Sequence, residues 1–223
     1  MARLAPVLLV AVALAACGSS TTTSTHSGKT IFVAALGDSI TAGSPGYDPS
    51  HDQAKLLGFG ENPQSQWEYW AERKDPRLRF RNCGVFGERT DQIARRLVDC
   101  KTGAHVLVVQ GGINDIVQGR PVAEAARNLR SMVERGKRLG LRVEVADVLP
   151  WNNGYPVSAP KILALNRLIH AFARAEQVRV LPFYATLDDP KSPGRMEGPW
   201  TADGEHPSVA GYRRLGELAF RLP

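Results

Sequence analysis

Acyl transfer through a hydroxyl nucleophile has four requirements: the nucleophile, a base in hydrogen-bond reach, an acid that orients the base, and donors for the oxygen that becomes negative. The 223-residue chain offers candidates for these parts. Ser39 follows Gly37 and Asp38 in a tight turn from which its hydroxyl can project. His206 lies three residues after Asp203 and directly before Pro207, which biases it to an extended conformation at a helix entrance. The Asp203 carboxylate can then reach back to one ring nitrogen and leave the other facing Ser39 as an acceptor. Each piece also has a plainer reading. Ser39 is an ordinary helix N-cap residue, and Asp203 to His206 would serve as a solvated Asp-Gly turn with a helix cap. Two further polar clusters, Gly84 to Gly87 and Gly112-Ile113-Asn114-Asp115, have similar alternatives: Gly87 could serve a turn, and Asn114 could satisfy the loop made by Gly111 and Gly112.

These clusters follow the ends of predicted strands. β-branched or otherwise apolar runs bounded by Gly, Pro or polar residues occur at 31–36, 78–83, 105–110, 142–149 and 178–182, and predict five strands. Helical patterns fall between them at 64–73, 90–98, 121–139 and 161–175, with a last one after Pro207. The third is expected to open with Pro121 as its first helical residue and to stop before Gly140. Strand and helix alternate, and a run such as Val106-Leu107-Val108-Val109 suits burial on both faces. A three-layer α/β/α sandwich on a five-stranded parallel sheet is therefore expected. Ligands of such sheets bind beyond the carboxyl ends of the strands, the edge to which the polar clusters belong.

Taken together, Gly37-Asp38-Ser39-Ile40, Gly87, Gly112-x-Asn114-Asp115 and Asp203-x-x-His206 resemble the ordered sequence blocks of the SGNH, or GDSL, hydrolase family. The likeness spans nearly all of residues 30–223. It implies a flavodoxin-like sheet of order 2-1-3-4-5 and no cofactor. It also implies an oxyanion hole built from the Ser39 amide, the Gly87 amide and the Asn114 side chain. A glycine can bring a bare N–H close to substrate, and a neutral amide donates without exchanging a proton. Ile40 stands where the GDSL block has Leu, a swap of similar volume. Phe86 stands where small residues are common in the family, and is expected to narrow the acyl pocket. Asp38 and Asp115 are assigned to hydrogen bonds that hold their loops. The chain has no GxSxG elbow, so the α/β-hydrolase reading is disfavoured.

The beginning of the chain reads as a targeting segment. Arg3 precedes an apolar stretch, 4–16, shorter than the roughly 20 residues that cross a bilayer. Residues 1–16 are expected to be an export signal. Leu14-Ala15-Ala16-Cys17 resembles the bacterial lipobox, which implies lipid attachment at Cys17. Ordinary cleavage after Ala15 is the alternative, and would leave a spare thiol. Residues 17–29 then form a lipidated cysteine and a Gly/Ser/Thr-rich tether spanning roughly 20 Å, and residues 30–223 form one catalytic domain. Cys83 and Cys100 remain as a pair. An exported domain favours their disulfide. A helix of nine or so residues, however, carries its ends roughly 13 Å apart, beyond the disulfide limit of about 7 Å, so the thiols are expected to stay separate.

With 28 Lys and Arg against 22 Asp and Glu, the net charge is +6. The basic residues are scattered over helical faces, which argues against a nucleic-acid partner. His105 and His170 sit in a strand and a helix pattern without metal-ligand spacing, so no metal is expected. Tyr47, His51, Phe59 and Trp67 are candidate pocket walls, as are Trp151 to Tyr155 and Trp200. The reading is a monomeric, exported, membrane-anchored serine esterase acting on a small-molecule, lipid or acylated-glycan ester. Rival readings on the same machinery are a carbohydrate O-acetyl esterase or acetyltransferase, a thioesterase and a lysophospholipase. A lipid-anchored protein that binds glycan or lipid without turnover is the rival from outside enzymology.

Overall fold

A computed structural model describes residue 1 and residues 28–50, 56, 58 and 60–223. The export signal, Cys17 and most of the tether lie outside the described residues, as do His51 and Phe59. Five parallel strands, β1 (Ile31–Gly37), β2 (Leu78–Gly84), β3 (Val106–Val109), β4 (Arg142–Ala146) and β5 (Arg179–Leu181), form one sheet of order β2-β1-β3-β4-β5. The helices are α1 (Ser39–Ala42), α2 (Trp67–Lys74), α3 (Thr90–Arg95), α4 (Leu97–Cys100), α5 (Ile113–Val117), α6 (Val122–Arg138), α7 (Ala159–Glu176), α8 (Phe183–Leu187) and α9 (Val209–Arg214). A π-helical turn, Leu215–Ala219, continues α9.

Alternation along the central strands divides the core in two. Leu36, Leu107, Val109 and Val145 pack against Ile93, Leu129, Met132 and Leu165 from α3, α6 and α7. Val33, Ala35, Val106 and Val108 face the other way, onto Trp67, Phe183, Tyr212 and Leu215 from the opposite layer. β2 is an edge strand, and Arg79 and Arg81 on its exposed side blunt that edge.

Several expectations need correction. Pro121 is the N-cap of α6, with ψ 129°, and the helix begins at Val122. The pattern at 64–73 divides into a 3₁₀ turn, Pro63–Ser65, and α2. The pattern at 90–98 breaks at Arg96, whose guanidinium leaves the helix surface to bind Glu88 and the carbonyls of Gly37 and Cys83. Short helices α1, α5 and α8 follow β1, β3 and β5 without a sequence pattern long enough to reveal them. The separation expected for Cys83 and Cys100 is also wrong: they form a disulfide with Cα atoms 6.0 Å apart. The chain rises past Cys83 into the 85–89 segment before α3 begins, so the descent of α3 and α4 only brings Cys100 back to the level of β2. There the Cys100 carbonyl accepts from Arg81 at 3.3 Å.

Candidate active site

β1 delivers Ser39 to the carboxyl edge of the sheet. Gly37 is required there by close approach, because a Cβ would lie 2.1 Å from Thr41 Oγ1 and 2.5 Å from Gln110 Oε1. Asp38 takes the N-cap role that Ser39 could have filled: its Oδ1 accepts from the Ile40 amide at 3.0 Å. The Ser39 hydroxyl is thereby left for another partner. Gln110, just beyond β3, fixes this turn by accepting from the Asp38 amide at 3.2 Å and from Thr41 Oγ1 at 2.8 Å. Burial pushes the Asp38 carboxyl up to about 6, against the Ile40 amide, Gln110 and His206, which lower it.

The partner of Ser39 comes from 167 residues away. His206 Nε2 lies 3.1 Å from Ser39 Oγ, and His206 Nδ1 lies 2.8 Å from Asp203 Oδ2. Asp203 also accepts through Oδ1 from the amides of Glu205, at 2.9 Å, and His206, at 2.7 Å. Partial burial alone would raise this carboxyl. The bonds from the His206 ring and the two amides overturn that and hold it at about 2. Asp203 therefore stays ionised through the neutral range, and the hydrogen bond favours the tautomer with the proton on Nδ1 and a free acceptor at Nε2. Ser39 and His206 are buried, while the Asp203 side chain is 41% exposed. Phe86 lies against the imidazole, with ring centroids 5.9 Å apart.

The other two clusters meet beside this line. Gly87 has φ 76°, a left-handed conformation natural to glycine, and no other atoms crowd the position of its missing Cβ. Asn114, in the first turn of α5, donates through Nδ2 to the Glu88 carbonyl at 3.0 Å, tying α5 to the segment that carries Gly87. Gln118 Nε2 donates to the Gly87 carbonyl at 3.3 Å. Asp115 accepts from the Thr90 amide at 2.9 Å and the Thr90 hydroxyl at 2.8 Å, locking α3 to α5.

Sequence reasoning missed Gln110, Glu88 and Arg96. Arg96 binds Glu88 Oε2 at 2.6 Å, the Cys83 carbonyl at 2.6 Å and the Gly37 carbonyl at 3.0 Å. One guanidinium thus joins the ends of β1 and β2 to the segment between them and α3. Its place in a helical pattern among other arginines gave no sign of this.

Three proposed wall residues serve other purposes. Trp67 is fully buried in the core, edge-on to Phe80 and Phe183. Trp151 packs against the core beneath the segment after β4. Trp200 is covered by the Arg214 guanidinium at 4.5 Å and donates to Glu197 at 2.7 Å. Tyr47 is half-buried near the 3₁₀ turn. Among the described residues no cluster has the makings of a metal site, and no helix is long and apolar enough to cross a membrane.

The profile of the GDSL-like lipase/acylhydrolase family matches residues 35–214, from β1 through α9. The chain belongs to that family. A curated relative, Esterase TesA of Pseudomonas aeruginosa, is 31% identical over 114 residues, covering 50% of this chain and 52% of its own. The chain thus matches about half the length of that relative. A member of the lipolytic protein G-D-S-L family from Veillonella parvula superimposes with a TM-score of 0.68 at 19% identity, over 84% of this chain and 94% of its own. A variant of an acetyl xylan esterase from Geobacillus stearothermophilus does so with 0.64 at 18% identity, over 85% and 92%. Both share the fold of this GDSL-family chain, with helices on both sides of the flavodoxin-like sheet.

Proposed function

We propose that this GDSL-family protein hydrolyses carboxylic esters through a covalent acyl-enzyme on Ser39. The observation that carries this reading is the continuous line from Asp203 through both nitrogens of His206 to Ser39 Oγ, with contacts of 2.8 and 3.1 Å. Ser39 Oγ attacks the ester carbonyl as His206 Nε2 takes its proton. Asp203 holds the imidazole and stabilises its charged form. The negative oxygen is received by the Ser39 amide, the Gly87 amide and the Asn114 Nδ2 group. His206 passes the proton to the leaving alcohol, and its nitrogen then activates the water that releases the acid. Family membership and the similarity to Esterase TesA support the same reaction type.

Phe86 against the imidazole supports a preference for small acyl groups, since its ring occupies space beside the base. Export and lipid attachment at Cys17 complete the reading. The Cys83–Cys100 disulfide supports residence outside the reducing cytosol.

A fluorophosphonate probe should label the native protein at Ser39, and Ser39→Ala should remove both labelling and hydrolysis of a short-chain aryl ester. A folded Ser39→Ala protein that kept its esterase activity would end the acyl-enzyme reading. A wild-type protein that neither labels nor turns over would favour a glycan- or lipid-binding role instead.

A further inference from the structure

The Asp203–His206 turn is closed by bonds of its own. Asp203 Oδ1 accepts from the amides of Glu205 and His206, Gly204 donates to Thr201 Oγ1 at 2.8 Å, and Ala202 donates to the His206 carbonyl at 2.9 Å. These bonds fix the shape of the turn, but they do not fix where it stands relative to Ser39 at the end of β1. That placement needs contacts to the sheet, and the segment after β4 supplies a group of them. The amides of Asn152 and Asn153 both donate to the Gly204 carbonyl, at 3.0 and 3.2 Å. The Asn153 side chain donates through Nδ2 to the Asp203 carbonyl at 3.1 Å. The Asn152 side chain accepts from the Met196 amide at 2.6 Å and donates to the Met196 carbonyl at 3.0 Å, bracing the mount from behind. Gly204 fits because it has no Cβ, which would lie 2.2 Å from Asn153 Oδ1.

We infer that Asn153 is a positioning residue for the catalytic acid and base: its side-chain amide and the paired backbone amides of Asn152 and Asn153 hold the Asp203–His206 turn at hydrogen-bonding distance from Ser39. The inference rests on the Ser39 reading above. The Asn153 side chain bonds the Asp203 carbonyl and none of the triad's side-chain atoms. It acts through the Asp203 main chain, and the acid it steadies is itself 41% exposed. Asn153 is also exposed, so its replacement removes one donor while the backbone pair at Gly204 keeps the loop folded. Displacing catalytic groups by as little as about 1 Å can cost on the order of 100-fold in rate.

The test compares Asn153→Ala, Asn152→Ala and Ser39→Ala with the native protein, using a short-chain aryl ester. Asn153→Ala should lower kcat by roughly 10- to 100-fold with KM changed less than about twofold, the pattern expected when orientation of the acid and base is lost and ground-state binding is kept. Asn152→Ala, which loses only the brace to Met196, should lower Tm with a smaller fall in kcat. Suppose Ser39→Ala is inactive while Asn153→Ala keeps native kcat, or loses activity only in proportion to its unfolded fraction. The positioning role is then overturned and the catalytic reading stands. Activity in Ser39→Ala would instead overturn the catalytic reading itself.

Discussion

Asn114 holds two positions through one amide group. One Nδ2 hydrogen goes to the Glu88 carbonyl, and the second is free to meet the oxyanion. In the proposed oxyanion hole this donor is neutral, buried and already oriented, so its value would lie mainly in the transition state, when charge develops beside it. Asn114→Ala should therefore lower kcat by roughly 100- to 1,000-fold and leave KM nearly unchanged. Steady-state kinetics on a short-chain aryl ester would check this, and a variant altered chiefly in KM would remove Asn114 from the oxyanion hole. Residue types in the sequence were enough to nominate Asn114, Ser39, Asp203 and His206. They did not reveal that Asp38 would take the helix cap and leave Ser39 free. That outcome depends on the extended backbone at Asp38, with φ −95° and ψ −150°.

β4 shows how an element can hold an ionisable group inside an apolar sheet. Glu144 is fully buried, and neither carboxylate oxygen has a hydrogen-bond partner. Arg179 on β5 approaches only to 3.8 Å. Desolvation outweighs the lowering by Arg179 and Arg142 and pushes the carboxyl from 4.5 to about 8. Between those values the folded protein keeps a proton that the unfolded chain has released, so stability falls as pH rises through that window. Glu144→Gln is neutral and of equal size, and its Tm should fall less than the native protein's between about pH 5 and about pH 8. Parallel slopes in a buffered thermal series would show that Glu144 does not titrate as described. The slope should not vanish, because burial also raises Glu68 well above its ordinary range. At this scale the alternation of strands and longer helices was legible in the residue pattern to within a few residues. The same pattern concealed the break at Arg96, because helical periodicity does not register a side chain that leaves its helix to bind two strand ends.

For the whole molecule, the proposed arrangement is a catalytic domain held near a membrane by Cys17. Stable retention needs more than one acyl chain, which full lipobox processing would supply. Cys17→Ser should release the protein from the membrane fraction or block its maturation. Equal retention of mature-sized wild type and variant on fractionation would remove the anchor. The Cys83–Cys100 disulfide belongs to this scale too, since it depends on how far the chain travels above the sheet before returning. The expectation took the nine-residue helix 90–98 as the distance between the two cysteines, whereas that helix runs down from above the strand ends and is level with Cys83 and Gly37 only at Arg96.

The amino-acid sequence by itself determined the family, the five strands and the longer helices between them, and the residue types of the candidate site. Local periodicity and short motifs are properties of neighbouring residues, and they survive in one dimension. Tertiary structure alone decided which groups meet: His206 with Ser39 across 167 residues, Arg96 with two strand ends, Asn153 with the Asp203 carbonyl, and Trp67 with the core instead of a pocket. Those contacts depend on hydrogen-bond distances set by the whole packed sheet, and no local pattern carries that information.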